Sequence, residues 1–99
     1  MTRIYKLLLE AEKDLENIWN YTVRKWSVDQ ATIYIDQMDN AFQLLAENPH
    51  LSREYDEFDP PVHIHHHKKH LVVYLINHTD ILIIRVLHEA MDIESQLNP

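Results

Sequence analysis

The chain of 99 residues contains no glycine and no cysteine. Without glycine, no backbone stretch can close around a phosphate or pyrophosphate, so loops of the Walker and Rossmann kinds are excluded. Turns must be made by proline, asparagine, aspartate and serine instead. Without cysteine there are no disulfides and no thiolate metal sites, which fits a reducing compartment. Long hydrophobic runs are missing too: none approaches the roughly 20 residues needed to cross a bilayer. The N-terminal MTRIYKLLLEAEKD turns acidic before a signal-peptide core could form. Export is therefore not expected, and a cytoplasmic location is.

Basic residues are scarce. Nine Lys and Arg face 16 Asp and Glu, for a net charge of -7. The imbalance is local. Asp29, Asp36, Asp39, Glu47, Glu54, Asp56, Glu57 and Asp59 stand against Arg53 alone, and the two signs cancel elsewhere. A nucleic-acid binder needs the opposite sign over its contact surface, so direct nucleic-acid binding is not expected. An acidic stretch of this kind is most commonly a solvated face. Hydrophobic residues make up 45% and charged residues 25%, as in an ordinary soluble chain. A chain of this length buries roughly two thirds of its unfolded surface. One domain over residues 1–99 is expected.

The densest apolar stretch lies between His70 and Asp92. Leu71 to Ile76 and Ile81 to Leu87 are rich in Val, Ile and Tyr and too short for typical helices, so both read as strands. The Asn77-His78-Thr79-Asp80 break between them carries turn chemistry, which predicts an antiparallel hairpin in mid-sheet with helices over one face.

Upstream, Arg3 to Leu9 reads as a first strand ending near Leu8. The period then changes: Ala11, Leu15, Ile18, Trp19, Thr22 and Trp26 form a helical stripe. Acids at its start and Arg24 and Lys25 at its end suit the helix dipole. Ser27 with Gln30 three residues on is a capping-box signature. A second helix follows, with Ala31, Tyr34, Ile35, Met38, Ala41, Phe42 and Leu45 as its buried stripe, stopped by Asn48-Pro49. Two helices joined so tightly must fold back as a hairpin. Trp26, at that turn, is the aromatic most expected to be exposed.

Residues 50–61 are polar, acidic and closed by prolines, and read as a surface loop. Val62 to Lys69 is a strand candidate, and Glu89 to Pro99 a tail with weak helical character. The expected fold is α+β, in the order β-α-α-β-β-β, with an antiparallel sheet and a two-helix hairpin on one face.

Two groups of residues invite a chemical reading. His63, His65 and His67 alternate on one strand face, where imidazoles can chelate Zn²⁺ or Ni²⁺. A structural metal site usually wants four ligands, so the plainer expectation is a half-exposed face beside Lys68 and Lys69, with no metal. Such a face gains charge as the pH falls toward 6, which predicts pH-dependent solubility or partner affinity. Arg85 and His88 stand at a strand end, but three residues apart they point to opposite faces unless the strand bends. An ion pair between Arg85 and an acid such as Asp92 is the plainer use of that arginine.

Several motifs together resemble the small toxins of bacterial toxin–antitoxin modules, the RelE/ParE superfamily, and favour its ParE branch. They are Ala11 with Asp14-Leu15, Ile18-Trp19 with Tyr21-Thr22, Trp26 with Gln30-Ala31 and Tyr34, and Phe42-Gln43-Leu44-Leu45-Ala46-Glu47-Asn48-Pro49. His70-Leu71-Val72-Val73-Tyr74 and Arg85-Val86-Leu87-His88 with Met91-Asp92 complete the set. The likeness spans essentially the whole chain, and its weight lies in the order and spacing of the pieces. The family often has Ser or Thr where this chain has Leu9, so the first helix must be capped otherwise. Between the strand-end His and the Met-Asp pair, relatives tend to carry Gly and a basic residue, whereas here Glu89-Ala90 stand.

The resemblance implies a toxin that inhibits DNA gyrase, is not an enzyme, needs no cofactor and is neutralised in a complex with a cognate antitoxin. Its candidate partner-binding residues are Trp26, Arg85, His88, Met91 and Asp92. An exposed sheet edge and the acidic helix hairpin are the expected antitoxin surfaces. RelE-like relatives are instead ribosome-dependent mRNA endonucleases, and that chemistry needs a general base, a general acid and cations around the phosphate. Here the cations are few, and Arg53 is surrounded by acids. A degenerate, non-toxic module that only binds an antitoxin, or a metal sensor built on the histidine strand, are the further alternatives.

Overall fold

A computed structural model describes residues 4–97. The elements are β1 (Ile4–Leu7), α1 (Leu9–Lys25), α2 (Val28–Glu47), β2 (Glu54–Tyr55), β3 (Val62–His67), β4 (His70–Ile76), β5 (Asp80–His88) and α3 (Ile93–Leu97). The strands form one sheet in the order β1-β5-β4-β3-β2. The β4–β5 hairpin is therefore central, as its apolar runs predict. At its turn, Asn77 donates its backbone N–H to Asp80 O and its side-chain Nδ2 to Asp80 Oδ1, both at 2.9 Å. Among the described residues no helix is long and apolar enough to cross a membrane. Arg3, Asn98 and Pro99, the ends of the expected first strand and tail, lie outside the described residues.

The second helix, α2, begins and ends where local chemistry directs. Ser27 Oγ accepts from Gln30 N at 3.0 Å, and Asn48 closes α2 by donating its backbone N–H to Leu44 O. The predicted α2 stripe faces inward, with Ala31, Met38, Ala41, Phe42 and Leu45 all buried. The α1 N-cap position is Leu8, which offers no side-chain cap, so Glu10 and Glu12 provide the favourable charge at that end. Trp26 follows the last turn of α1 and leaves the stripe; it is 68% exposed.

Three features depart from the expected layout. The sheet is mixed, because β1 pairs with β5 in parallel (Ile4 with Asp80 through Leu7 with Ile83). Nothing local sets the direction of a strand that must pair with a segment so distant in sequence. The second difference is in residues 50–61, which are not a plain surface loop. Glu54–Tyr55 adds a short edge strand to β3, and Phe58 is 8% exposed. That ring belongs to a second core on the face away from the helices, with Val62, Val73 and Leu87, against which Ile93 and Leu97 of α3 pack. The third is a β-bulge: Val73 faces Arg85 and Tyr74 faces Ile83, so Ile84 has no partner on β4. The extra residue switches the alternation along β5. Ile81, Ile83 and Val86 thus enter the helix-side core while Ile84 and Leu87 enter the other.

The helix-side core joins Ala11, Met38, Phe42 and Leu45 to Val72, Tyr74, Ile81 and Ile83. Tyr5 ties β1 to α2 by donating its hydroxyl to Asp39 and setting its ring edge-on to Phe42, 5.2 Å between centroids. Burial and that carboxylate push the Tyr5 hydroxyl up to about 12.

Candidate functional site at the end of the central hairpin

The open end of the β4–β5 hairpin, where His70 pairs with His88, holds Tyr34, His70 and the Arg85-Val86-Leu87-His88 run among the residues that carry the resemblance. α2 reaches this end through Tyr34, whose hydroxyl lies 2.6 Å from His70 Nδ1, and the other end of the sheet through Phe42 against Tyr5. Trp26 sits in the turn that leads into α2, on the Tyr34 side of that helix and away from Phe42. The two-residue turn between β3 and β4 lies here too. Its Lys68 adopts φ 55°, a left-handed conformation normally left to glycine or asparagine. Its ammonium group meets Gln37 Oε1 and sits 5.8 Å from the centre of the Tyr34 ring.

Arg85 does not pair with Asp92. Its Nε donates to Asp14 Oδ2 at 2.8 Å and its Nη2 to Asp14 Oδ1 at 3.0 Å, while Val86 N donates to the same Oδ2 at 2.9 Å. β1 ends opposite Ile83, which leaves the outer edge of β5 uncovered beyond that point. Asp14 fills the gap by capping a strand N–H and holding the guanidinium in a two-pronged pair. Hydrogen bonding from Asp14 first, then its charge, raises the pKa of Arg85 further above the ordinary arginine value against the opposing effect of burial. Asp92 has its own partners. Its carboxylate accepts from Glu94 N at 3.2 Å and Ser95 Oγ at 2.8 Å, so it caps α3.

His88 turns toward His70, the rings edge-on with centroids 5.5 Å apart, and its Nδ1 accepts from Ala90 N at 3.0 Å. Arg85 and His88 are thus held by different partners, and the bulge does not bring them together. Met91 lies in the turn beyond, its N–H donating to His88 O at 2.9 Å, with 47% of its surface exposed. Glu89, where relatives tend to be basic, accepts or shares a proton with His66 at 2.8 Å. Its backbone N–H donates to Lys69 O at 2.8 Å. The departure from the family pattern therefore comes with a matching partner on β3. Of the five candidates, Trp26 and Met91 are exposed, His88 is half-buried, Arg85 is engaged with Asp14, and Asp92 caps α3.

The histidine strand differs from the expected half-exposed face. His63, His65 and His67 share the helix side of the sheet, opposite Tyr74, Val72 and His70. His63 is 6% exposed. Burial first, and neighbouring positive charge second, push His65 and His67 down. Burial and the nearby His88 and His67 push His70 down to about 4. The His70 ring therefore stays neutral at pH 6, and burial likewise opposes the expected gain of charge at His65 and His67. Among the described residues, no three His, Asp or Glu side chains converge closely enough to hold a metal ion. Sequence reasoning missed Asp14 as the arginine's partner and Tyr34 as His70's. Asp14-Leu15 was visible as a motif, but no local signal ties it to Arg85.

Comparison with known proteins agrees with this architecture. Residues 5–93 match the family described as the ParE toxin of the type II toxin–antitoxin system parDE. The chain is 33% identical over 98 residues to Toxin ParE1 of Mycobacterium tuberculosis (strain CDC 1551 / Oshkosh), covering 98% of this chain and 100% of that protein. It is 31% identical to Toxin ParE of Escherichia coli, over 94% of this chain and 91% of the relative. With Toxin ParE1 of Caulobacter vibrioides it shares 29% identity, over 94% and 96% of the two chains. A solved structure of the chromosomal ParDE TA system from P. aeruginosa superposes with a TM-score of 0.75 at 15% identity. It covers 88% of this chain and 96% of that one, a likeness of fold. The chain belongs to the ParE toxin family of type II toxin–antitoxin systems.

Proposed function

We propose that this toxin acts by inhibiting DNA gyrase in the cytoplasm, without catalysis of its own, and is held inactive by a cognate antitoxin. The observation that carries this reading over an mRNA endonuclease is the engagement of Arg85 with both oxygens of Asp14. An arginine so held is poorly placed to stabilise the charge that develops on a phosphate during cleavage. The net charge of -7 disfavours an RNA substrate further. Trp26 and Met91, both exposed, are the residues nominated for contact with the target, with His88 next to Met91. For the antitoxin, β1 is an edge strand with Ile4 61% exposed, and the acidic face of α2 suits a partner with basic character. Antitoxins of this type are commonly disordered in part until bound.

The deciding experiment expresses the chain without an antitoxin and follows plasmid supercoiling and mRNA integrity side by side. Loss of supercoiling with intact mRNA is expected. Cleaved mRNA with normal supercoiling would overturn the proposal in favour of an endonuclease, and growth without any defect would favour a module that only binds its antitoxin.

A further inference from the structure

A cleft of about 330 Å³ opens at the other end of the sheet from His88, between β3, the end of β4 and the loop carrying β2. His63 lies in its wall. The ring is stacked on Tyr74 at 5.3 Å between centroids and meets the edge of His50 at 5.9 Å. Its Nδ1 is 2.7 Å from Ser52 O. A carbonyl can only accept, so Nδ1 carries the proton and Nε2 is the nitrogen that can offer a lone pair. Among the described residues Nε2 has no hydrogen-bond partner, and Glu54 Oε2 stands 3.8 Å away. Asn77, also in the lining, donates its Nδ2 to Asp80 Oδ1, which leaves the oxygen end of the amide for another partner.

These groups share one property: each accepts hydrogen bonds. No lysine or arginine lines the cleft, and the nearby Arg53 lies over the Tyr55 ring at 4.0 Å. The remaining walls are the His50 ring and the apolar Pro60, Pro61, Leu75 and Ile76. A fitting occupant therefore carries a positive charge, several N–H donors in one plane and a short methylene stem. Guanidinium meets all three conditions, whereas an ammonium group is a compact, strongly hydrated point charge. Asp56, Glu57 and Asp59 in the adjoining loop favour a basic peptide and repel the free carboxylate of an amino acid.

We propose that this cleft receives an arginine side chain of a protein partner, held by His63 Nε2, the Glu54 carboxylate and the Asn77 amide oxygen. It lies apart from the residues nominated for the target, so it does not depend on gyrase inhibition.

The probe is N-acetyl-arginine N-methylamide, titrated into the full chain while the His63 ring and Asn77 side-chain resonances are followed by NMR. Saturable shifts at both residues are expected. Glu54→Gln should weaken binding by about fivefold, the loss of one partly exposed charge-assisted hydrogen bond. Because Glu54 is at the surface, the variant's spectrum should otherwise match that of the parent. The blocked lysine analogue and free arginine should both bind more weakly than the blocked arginine. Absence of saturable shifts, equal binding by Glu54→Gln, or equal binding of the lysine analogue would each overturn the proposal. Tighter binding of free arginine would overturn the protein source.

Discussion

Asp14 of α1 and Arg85 of β5, 71 residues apart in sequence, meet in a two-pronged ion pair, and the same carboxylate also caps Val86 N. One side chain thereby fastens the first helix to the central strand just past the end of β1. The side chains are 13% and 22% exposed, so the pair is shielded from solvent on most sides.

Removing one partner leaves the other charge half-buried and unpaired, which is the expensive outcome. Asp14→Asn should lower unfolding stability by about 2–3 kcal/mol, less than for a fully buried pair. Arg85→Met in the same background should add little, because its partner has already been neutralised. Urea denaturation of the two single variants and the double variant checks this. Fully additive losses would mean that the two residues act independently.

Tyr74 is completely buried, and its hydroxyl donates to Pro49 O at 2.9 Å, fixing the loop after α2 to the sheet. Tyr74→Phe leaves that carbonyl without its donor and should cost about 1–3 kcal/mol. The ring stacked on His63 remains, so His63 resonances should move little.

His70 makes stability fall toward acid pH. Its folded pKa is depressed to about 4 from an ordinary 6.5, so between these values the unfolded chain binds a proton that the folded ring refuses. The contribution is complete above pH 6.5 and is lost as the pH falls to about 4. His65 and His67, also shifted down, act in the same direction. The Tm should drop from pH 7 to pH 5, and His70→Gln should show a shallower drop. An equal slope in both proteins would exclude His70 as the source.

The tail separates into a packed part and a free part. Ile93 and Leu97 lie on the second core, so truncation after Leu87 removes packing together with any target contact. Ile93→Ala should cost about 1–2 kcal/mol, below the range for a fully buried isoleucine. Met91→Ala, at an exposed position, should leave the urea midpoint unchanged while reducing growth arrest. Undiminished arrest would remove Met91 from the target surface.

What could be read from the residues alone was local. The Ser27 cap, the Asn48-Pro49 stop, the inward stripe of α2 and the Asn77–Asp80 turn each depend on side chains a few positions apart. The central hairpin was legible because two apolar runs separated by turn residues have few other ways to hide their surface. The family likeness followed from the same order of pieces.

The far end of that hairpin was a different matter. Arg85 had an acid nearby in sequence, Asp92, and another far away, Asp14, and only the packing of α1 over β5 selected the second. The parallel direction of β1, the burial of Phe58 and the depressed basicity of His70 belong to the same class. Composition and periodicity determined which elements form and which faces are apolar, because those properties repeat along the chain. Only the tertiary structure decided which charge meets which and which imidazole loses its water, because each depends on groups that folding alone brings within a few ångströms.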